Sequence, residues 1–362
     1  MMRIRKFTDA DFPAFVPFSE TYLGPSHLTD EGFNKHWFRK IDGSGWNALV
    51  LEDANGDLVG ACMLIVVSAK IGDKQTELAW ISSTAIKDAL IDSGAGAKFY
   101  VNIYRRFPLV GAMSGNEYSV PINAFMGNEI PNTSMRRFMS IHNEDAFGLC
   151  RPDTRATVTL HPIQKGSRTG LQTGLVDTIP EDYDALWSAF RETVYCCIEK
   201  DRAFLRWRYQ TAPFIKYRFI EMRRDRRLVA LAVLRLQETP MGNAGRILDF
   251  ISDDHDEAAC WSALAAEASE AGAIFSDFHI IGSRHDAALG QAGYSEAKKE
   301  SGLNAIPNLL SPVDHREWTN TFHMGGKLAK ADTAWRAADK VYFTKGDSDR
   351  DWPTAYDVRP RD

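Results

Sequence analysis

The feature that most constrains this chain is an order of predicted elements that occurs twice. In the first half, Asp53–Asp57 forms a turn between apolar strands at Asn47–Glu52 and Leu58–Ser68. Asn-Gly between two apolar runs is a strong hairpin signal. A third strand, a helix and a further strand follow, and the second half repeats this order with a hairpin at 217–237 and a helix at 256–271. The pattern predicts an α/β (α+β) fold used twice.

Composition is typical of a reduced globular protein with two domains. At about 150 residues per domain, 362 residues give roughly two domains, and a hydrophobic content of 44% supplies a core for each. The net charge of −5 disfavours a general nucleic-acid binder, which needs a basic surface. The five cysteines include no CxxC pair, so we expect no disulfide framework and no metal site.

The same sequence predicts a cytoplasmic protein that does not enter the membrane. No apolar signal-peptide core follows the charged N-terminal residues. The most apolar run, Leu58–Ala69, is shorter than the ~20 residues that a spanning helix needs. We therefore expect a small-molecule partner, no nucleic acid and no membrane, and we leave the oligomeric state open.

A stretch rich in Thr, Gly and basic residues after position 152 predicts the boundary between the two halves. We expect an N-terminal domain at 1–150, a connecting segment at 151–175 and a C-terminal domain at 176–312. The remaining tail, 313–362, is expected to pack on the domains.

A glycine loop is the chemical centre of the first half. Gly94 and Gly96 lie between the meander and the next helix. Glycines let the backbone approach a ligand closely, and the amides of a helix N-terminus attract a pyrophosphate. An ordinary loop is the alternative reading of a lone GxG.

The loop in this context resembles that of the GNAT acyl-CoA transferases, whose signature is Arg/Gln-x-x-Gly-x-Gly/Ala. Ile91, Gly94 and Gly96 fall on these positions. A later family motif, Asn followed by a short helix and a Gly turn, corresponds to Asn116 through Gly127. Ile91 departs from the family's Arg/Gln.

The resemblance implies two tandem GNAT-like domains, each with a mostly antiparallel, splayed central sheet flanked by helices. It further implies that the first domain binds acetyl-CoA or another acyl-CoA through a set of loop and strand residues. These are Ile81, Ser83, Gly94, Ala95, Gly96, Ala97 and Asn116.

The resemblance also implies positions for the catalytic groups. Glu77, on the strand before the loop, falls near the family's frequent general base, and a solvated strand end is the alternative. The family's Tyr general acid falls on Asn123, which cannot supply a proton, whereas the offset Tyr118 can. These departures leave open an altered transferase or an inactive relative.

The second half carries a Leu-x-Trp-Arg-Tyr run, and the tail at 343–353 contains Gly-Asp-Ser-Asp-x-Asp. Both resemble tandem GNAT-like proteins of the bacterial surface-polysaccharide and amino-sugar group. Arg pairs with phosphate and aromatic rings stack on sugars or bases. The acceptor-binding candidates are therefore Arg206, Trp207, Arg208 and Tyr209. Core packing is the alternative for this run.

Two further residues are acceptor candidates. Asp249 stands in an apolar strand, where it holds an amino group or pairs with Arg208. His285 is a candidate acid/base, with a surface histidine as the alternative. The loop Ser252–Glu257 carries four carboxylates that would repel a pyrophosphate, so we assign the acyl-CoA site to the first half.

The leading hypothesis is an acyl-CoA-dependent N-acyltransferase that transfers an acyl group, expected to be acetyl, to a small amine. The expected acceptor is a nucleotide-linked amino sugar of surface-glycan synthesis. One alternative is a Fem-type transferase that uses aminoacyl-tRNA, which the net acidic charge disfavours. The other is a catalytically inactive GNAT-like binding protein.

Overall fold

The computed structural model describes residues 2–24, 26–113, 119–126, 134–150, 170–310, 313–314 and 321–353. The chain divides into two compact units. The first unit comprises 1–134, 320–336 and 348–352, and the second comprises 135–319, 337–347 and 353–362. Residues 135–150 belong to the second unit because a strand within them pairs with a strand of that unit.

The helices of the described residues follow in chain order. They are α1 Phe12–Tyr22, α2 Glu31–Phe38, α3 Ala95–Arg106, α4 Ser119–Phe125, α5 Tyr183–Glu192, α6 Arg202–Leu205, α7 Glu257–Glu270, α8 Asp286–Gln291 and α9 Lys327–Ala331. None of these helices is both long and apolar enough to cross a bilayer.

The strands of the described residues are numbered in the same way. They are β1 Arg3–Lys6, β2 Ala48–Glu52, β3 Leu58–Ile71, β4 Lys74–Ile86, β5 Leu109–Met113, β6 Arg136–Ile141, β7 Gln172–Val176, β8 Cys196–Ile198, β9 Arg218–Arg224, β10 Arg227–Thr239, β11 Gly242–Ser252, β12 Ala273–Ile281, β13 Ser295–Glu296, β14 Leu309–Leu310, β15 Val313–Asp314, β16 Phe322–Gly325 and β17 Val341–Thr344.

In the first unit, β1, β2, β3 and β4 form an antiparallel sheet in that order. The Asn-Gly turn joins β2 to β3, and Gly56 adopts the positive φ of 88° that such a turn requires. Strand β5 pairs parallel with β4, and β16 closes the order antiparallel to β5. α3 packs on one face, where Phe99, Tyr100 and Ile103 enter a buried apolar cluster.

The pairing of β4 with β5 determines where this sheet opens. It covers Leu78–Trp80 against Leu109–Gly111, and no further pair joins the two strands among the described residues. β4 then continues to Ile86 and β5 to Met113. Side chains on β4 change from buried to half-buried after Ile81. The two strands therefore border an opening beyond Trp80.

The second unit has the same strand order. β7, β9, β10 and β11 pair antiparallel, and β12 pairs parallel with β11 after the crossover helix α7. β6 and β17 lie antiparallel to β12, and β8 lies parallel to β17. The antiparallel sheets flanked by helices confirm the predicted α/β fold class.

Several element bounds differ from the prediction. The helix expected to start at Lys98 begins at Ala95, directly after Gly94, so the glycine loop itself forms the helix N-terminus. The helix expected over Asp201–Tyr209 is the short α6 followed by a π-helical turn at Arg206–Gln210. Burial of Phe204, Leu205 and Tyr209 keeps this segment compact despite the change of helical type.

Candidate functional site

α3 begins after an exposed N-cap glycine, Gly94, that makes no side-chain cap hydrogen bond. Gly94 has a φ of 71°, which favours glycine, and it ends a 3-10 turn at the point where α3 begins. The amide of Ala95 donates to Ser93 Oγ over 3.3 Å. Gly96 and Ala97 are half-buried in the first turn. Their amides, with the positive end of the helix dipole, form a surface suited to an anion.

The corresponding helix of the second unit is closed at its N-terminus. Asp256 caps α7, with its Oδ1 accepting from the Ala259 amide over 3.1 Å. Asp254 accepts from Arg224 over 2.6 Å in the same loop. The acidic loop therefore caps its own helix and pairs with an arginine of a neighbouring strand, and its negative charge would repel a pyrophosphate.

A β-bulge lies where β4 borders the opening. Cys62 is opposite Thr84 and Leu64 is opposite Ile81, so Ser82 and Ser83 together face Met63. One residue of such a pair is left outside the hydrogen-bond ladder. The register therefore leaves Ser82 or Ser83 outside the ladder with β3. Of the predicted acyl-CoA residues, Ile81 directly precedes this bulge and Ser83 belongs to it.

The two faces of the sheet have different neighbours at this point. Ile81 and Ala112 belong to the apolar cluster beneath α3. Because side chains alternate along a strand, Met113 points to the opposite face, and Ser82 lies on that face with Met63. Two molecules can thus approach this point of the sheet from opposite faces.

Residues of the C-terminal tail contact both edges of the opening on the face opposite α3. Ser82 Oγ donates to Asp349 Oδ2 over 3.0 Å. Ser348 Oγ lies 3.0 Å from Met113 Sδ, on the other strand. The segment Ser348–Asp349 therefore bridges β4 and β5 beyond their last paired residues.

An aromatic cluster holds this segment of the tail. The Trp352 ring lies 4.8 Å from that of His27 and 4.9 Å from that of Phe33, centroid to centroid. Trp37 and Phe38 of α2 are within 5.8 Å of the same ring. Such contacts fix a segment more firmly than a single hydrogen bond does.

Asp349 is half-buried, and burial raises the pKa of its carboxyl above the ordinary value. The neighbouring Arg350 and the hydrogen bond from Ser82 oppose this shift by favouring the charged carboxylate. A carboxyl group with these opposing influences on its pKa can gain and lose a proton during a reaction. A carboxylate paired with a buried cation does so less readily.

Of the predicted catalytic residues of the first half, the structure describes Glu77 and Asn123. Glu77 is exposed and opposite Ser68, five positions and roughly 16 Å along the strand from Ser82. Asn123 is buried in α4. Asn116, Tyr118 and Gly127 lie outside the described residues.

In the second unit, Asp249 is the centre of a closed polar cluster. Lys200 Nζ donates to Asp249 and Asp347, Tyr209 OH donates to Asp249, and Thr344 Oγ1 donates to Asp249 over 2.8 Å. Burial raises the pKa of Asp347 to about 6, while Lys200 opposes the shift. The cluster is buried, and the cation beside Asp249 is Lys200 rather than the Arg208 that the sequence suggested.

The other acceptor candidates of the second unit are distributed between interior and surface. Arg208 is buried and donates to Gly346 O over 2.7 Å and to Tyr217 OH over 3.0 Å. Arg206 is exposed and Trp207 is half-buried. His285 is buried against the Glu257 carboxylate, so it is not the surface histidine of the alternative reading.

A cavity of about 370 Å³ lies elsewhere in the first unit. Lys6, Arg39, Lys40 and Arg106 line it together with Asp9, which pairs with Arg39. Arg106 ends α3, which places this cavity roughly 18 Å from Gly94 by the helix rise. The cavity is therefore separate from the opening between β4 and β5.

Asp349 is the residue of this site that the sequence did not identify. Asp347, Asp349 and Asp351 alternate and suggest a calcium loop only superficially, because the EF-hand glycine and glutamate are lacking. In the described part of the chain, no cluster of His, Cys, Asp or Glu is arranged to hold a metal ion. The polar tail, directly before Trp352, was the available signal.

Comparisons with known proteins place this geometry in context. No protein-family model and no curated protein matches the sequence. Among solved structures, a GCN5-related N-acetyltransferase from Anabaena variabilis is similar, with a TM-score of 0.57 and 10% identity over 90% of this chain and 72% of that chain. A conserved protein of unknown function from Enterococcus faecalis, described as a probable N-acyltransferase, is also similar. Its TM-score is 0.56, with 7% identity over 91% of this chain and 73% of that chain. At these low sequence identities, the TM-scores show a shared fold.

Proposed function

We propose that this protein transfers an acyl group from an acyl-CoA to the amine of a small acceptor. The observation that carries the proposal is the N-terminus of α3, which starts at an uncapped glycine, while its first residue, Ala95, lies in the same apolar cluster as Ile81 of β4 and Ala112 of β5. The fold likeness to solved N-acetyltransferase structures supports it. The second unit has the same strand order, but its corresponding helix is capped by Asp256.

The residues present fit an acyl-CoA. The amides of Gly94, Gly96 and Ala97 would hold the pyrophosphate, because these residues are exposed or half-buried and lie at the positive end of a helix dipole. Ala95, also predicted for this role, is buried and its amide donates to Ser93 Oγ. The pantetheine would lie along Ile81–Ile86, where β4 no longer pairs with β5. The backbone amide left outside the ladder at Ser82–Ser83 would then donate to the thioester carbonyl, where negative charge develops.

The acceptor and setting remain part of the proposal. We infer a nucleotide-linked amino sugar of surface-polysaccharide synthesis, used in the cytoplasm, from the sequence motifs at Phe204–Tyr209 and Phe343–Pro353. Because Arg208, Tyr209 and Asp249 are buried in the described structure, Arg206 and Trp207 are the members of that set that a ligand can reach.

The test is a thermal titration of the full chain with CoA and acetyl-CoA. A ligand that binds only the folded state stabilises it by about 2.7 kcal/mol at one hundred times its Kd, which raises the midpoint measurably. Gly94→Glu places a carboxylate at the proposed pyrophosphate position and should abolish the rise.

The matched control is Gly56→Glu. Gly56 also has a positive φ, is exposed and has open space around an added Cβ, but it lies in the β2–β3 turn. This variant carries the same strain and charge and should keep the ligand-induced rise. Equal loss in both variants, or no rise in the wild type at millimolar CoA, would contradict the proposal.

A further inference from the structure

We propose that Asp349 is the catalytic base of this transfer, accepting the proton of an ammonium group on the acceptor. The inference rests on the proposed function and adds to it the residue, its face of the sheet and the charge state of the acceptor. It comes from the C-terminal tail, which the GNAT resemblance of the first half does not involve.

The position of Asp349 is the first ground. Its Oδ2 accepts from Ser82 Oγ, and Ser82 belongs to the bulge of β4, to which the proposed function assigns the oxyanion donor. A base within one residue of an oxyanion donor lies beside the reacting carbonyl carbon, as general-base catalysis requires. Asp349 also lies on the face opposite α3, so it does not compete with an acyl-CoA at Gly94.

The support of the segment is the second ground. Ser348 contacts Met113 on β5, and Trp352 packs among the rings of His27 and Phe33. Asp349 is therefore held from both sides along the chain while it remains half-buried. A catalytic group needs this combination of a fixed position and access for a substrate.

The charge balance is the third ground. Burial makes the carboxylate of Asp349 a better base, because it raises the pKa of the group. Arg350 and the Ser82 hydroxyl act in the opposite direction, because both lower the pKa of Asp349 and favour the carboxylate. Arg350 is the charged group that acts on Asp349 among the described residues. A carboxylate in this state attracts a primary ammonium rather than an anion or a hydroxyl.

The reaction balances with these groups. Asp349 takes one proton from the ammonium, and the freed lone pair forms the new C–N bond at the thioester carbonyl carbon. The C–S bond then breaks, the nitrogen loses its second proton, and the CoA thiolate receives it. The products are an amide and CoA thiol, and Asp349 returns its proton to water.

The experiment measures CoA thiol release from acetyl-CoA by the full chain, with glucosamine, tyramine and spermidine as amine probes across pH 5–9. Asp349→Asn should lower kcat by about 10²- to 10⁴-fold, because one proton transfer loses its base. It should also remove the acidic limb of the pH profile, since no carboxyl remains to be protonated. Asp349→Glu should restore part of the rate together with that limb.

A second variant tests the role of Asp349 through the pH dependence of the rate. Ser82→Ala removes a hydrogen bond that favours the carboxylate, so the pKa of Asp349 rises. The acidic limb should move to higher pH by about 0.5–1 unit. The control Asp73→Asn changes an exposed carboxylate in the β3–β4 turn and should leave rate and profile unchanged.

The outcomes separate this inference from the proposed function. A wild type that does not bind acetyl-CoA contradicts the proposed function. A wild type that binds acetyl-CoA but acylates none of the three amines contradicts the ammonium assignment. An Asp349→Asn variant that binds acetyl-CoA within twofold of wild type and keeps its rate and acidic limb overturns the role of Asp349.

Discussion

The two units place a carboxylate at equivalent points of similar sheets, but surround it differently. In the second unit a register shift leaves Leu248 as the extra residue of β11, beside Asp249, just as β4 carries its bulge at Ser82–Ser83. Asp249 is buried and bonded to Lys200, Tyr209 and Thr344. Asp349, beside the bulge of the first unit, is half-buried with a hydrogen bond from Ser82.

This difference shows that the same strand order can hold a carboxylate that stabilises the fold or one that is able to react. A buried carboxylate with a cation and two hydroxyls is held in one state, and its removal leaves charges without compensation. A half-buried carboxylate with fewer partners can exchange a proton with a substrate. The helix termini follow the same division, since α7 is capped by Asp256 and α3 begins at an exposed glycine.

The largest expected effect tests whether the buried cluster around Asp249 stabilises the second unit. Lys200→Met removes the cation between Asp249 and Asp347 and leaves two buried carboxylates facing each other. We expect a loss of about 3–5 kcal/mol in the free energy of unfolding. Denaturant unfolding of the full chain measures it, with the exposed Lys216→Met as a control that should change little. A loss below that of ordinary surface variants would remove the structural role of the cluster.

A smaller effect on stability is expected from a change in the packing beside the same cluster. An added Cβ at Gly346 would lie 2.0 Å from Tyr209 OH and 3.0 Å from Leu248 O. Gly346→Ala should therefore lower the free energy of unfolding by about 1–3 kcal/mol through overpacking.

The control for this change is the exposed helical Gly290, which has open space around an added Cβ. Gly290→Ala should be neutral or stabilising by up to about 1 kcal/mol, because alanine favours the helix. Thermal unfolding of both variants makes the comparison. Equal changes in both would show that the turn at Gly346 has room to relax.

The smallest expected effect concerns the first unit. Asp349→Asn should alter the free energy of unfolding by less than about 1 kcal/mol, because burial already disfavours the charged form of this carboxyl. The same denaturant measurement checks it beside Lys200→Met. A loss of several kcal/mol in the free energy of unfolding would show that Asp349, like Asp249, has a structural role, and would contradict the difference drawn between the two units.

Much of the framework was predictable from local patterns. The Asn-Gly turn predicted the β2–β3 hairpin, because turn chemistry acts within a few residues, and a helix was predicted directly after the glycine loop. The helix start was misplaced by three residues, since Gly94 and Ala95 were read as loop. The π-helical turn at Arg206–Gln210 was missed because its packing decides its geometry.

The sequence by itself determined the order of strands and helices, the glycine at a helix N-terminus and the acidic loop that caps α7. These features arise from turn chemistry, side-chain periodicity and local charge. Only the tertiary structure decided that Lys200 rather than Arg208 accompanies Asp249, and that Asp349 meets Ser82. Ser82 and Asp349 are 267 positions apart, and no local preference encodes a contact between such residues; it forms where the packed sheet and the anchored tail bring them together.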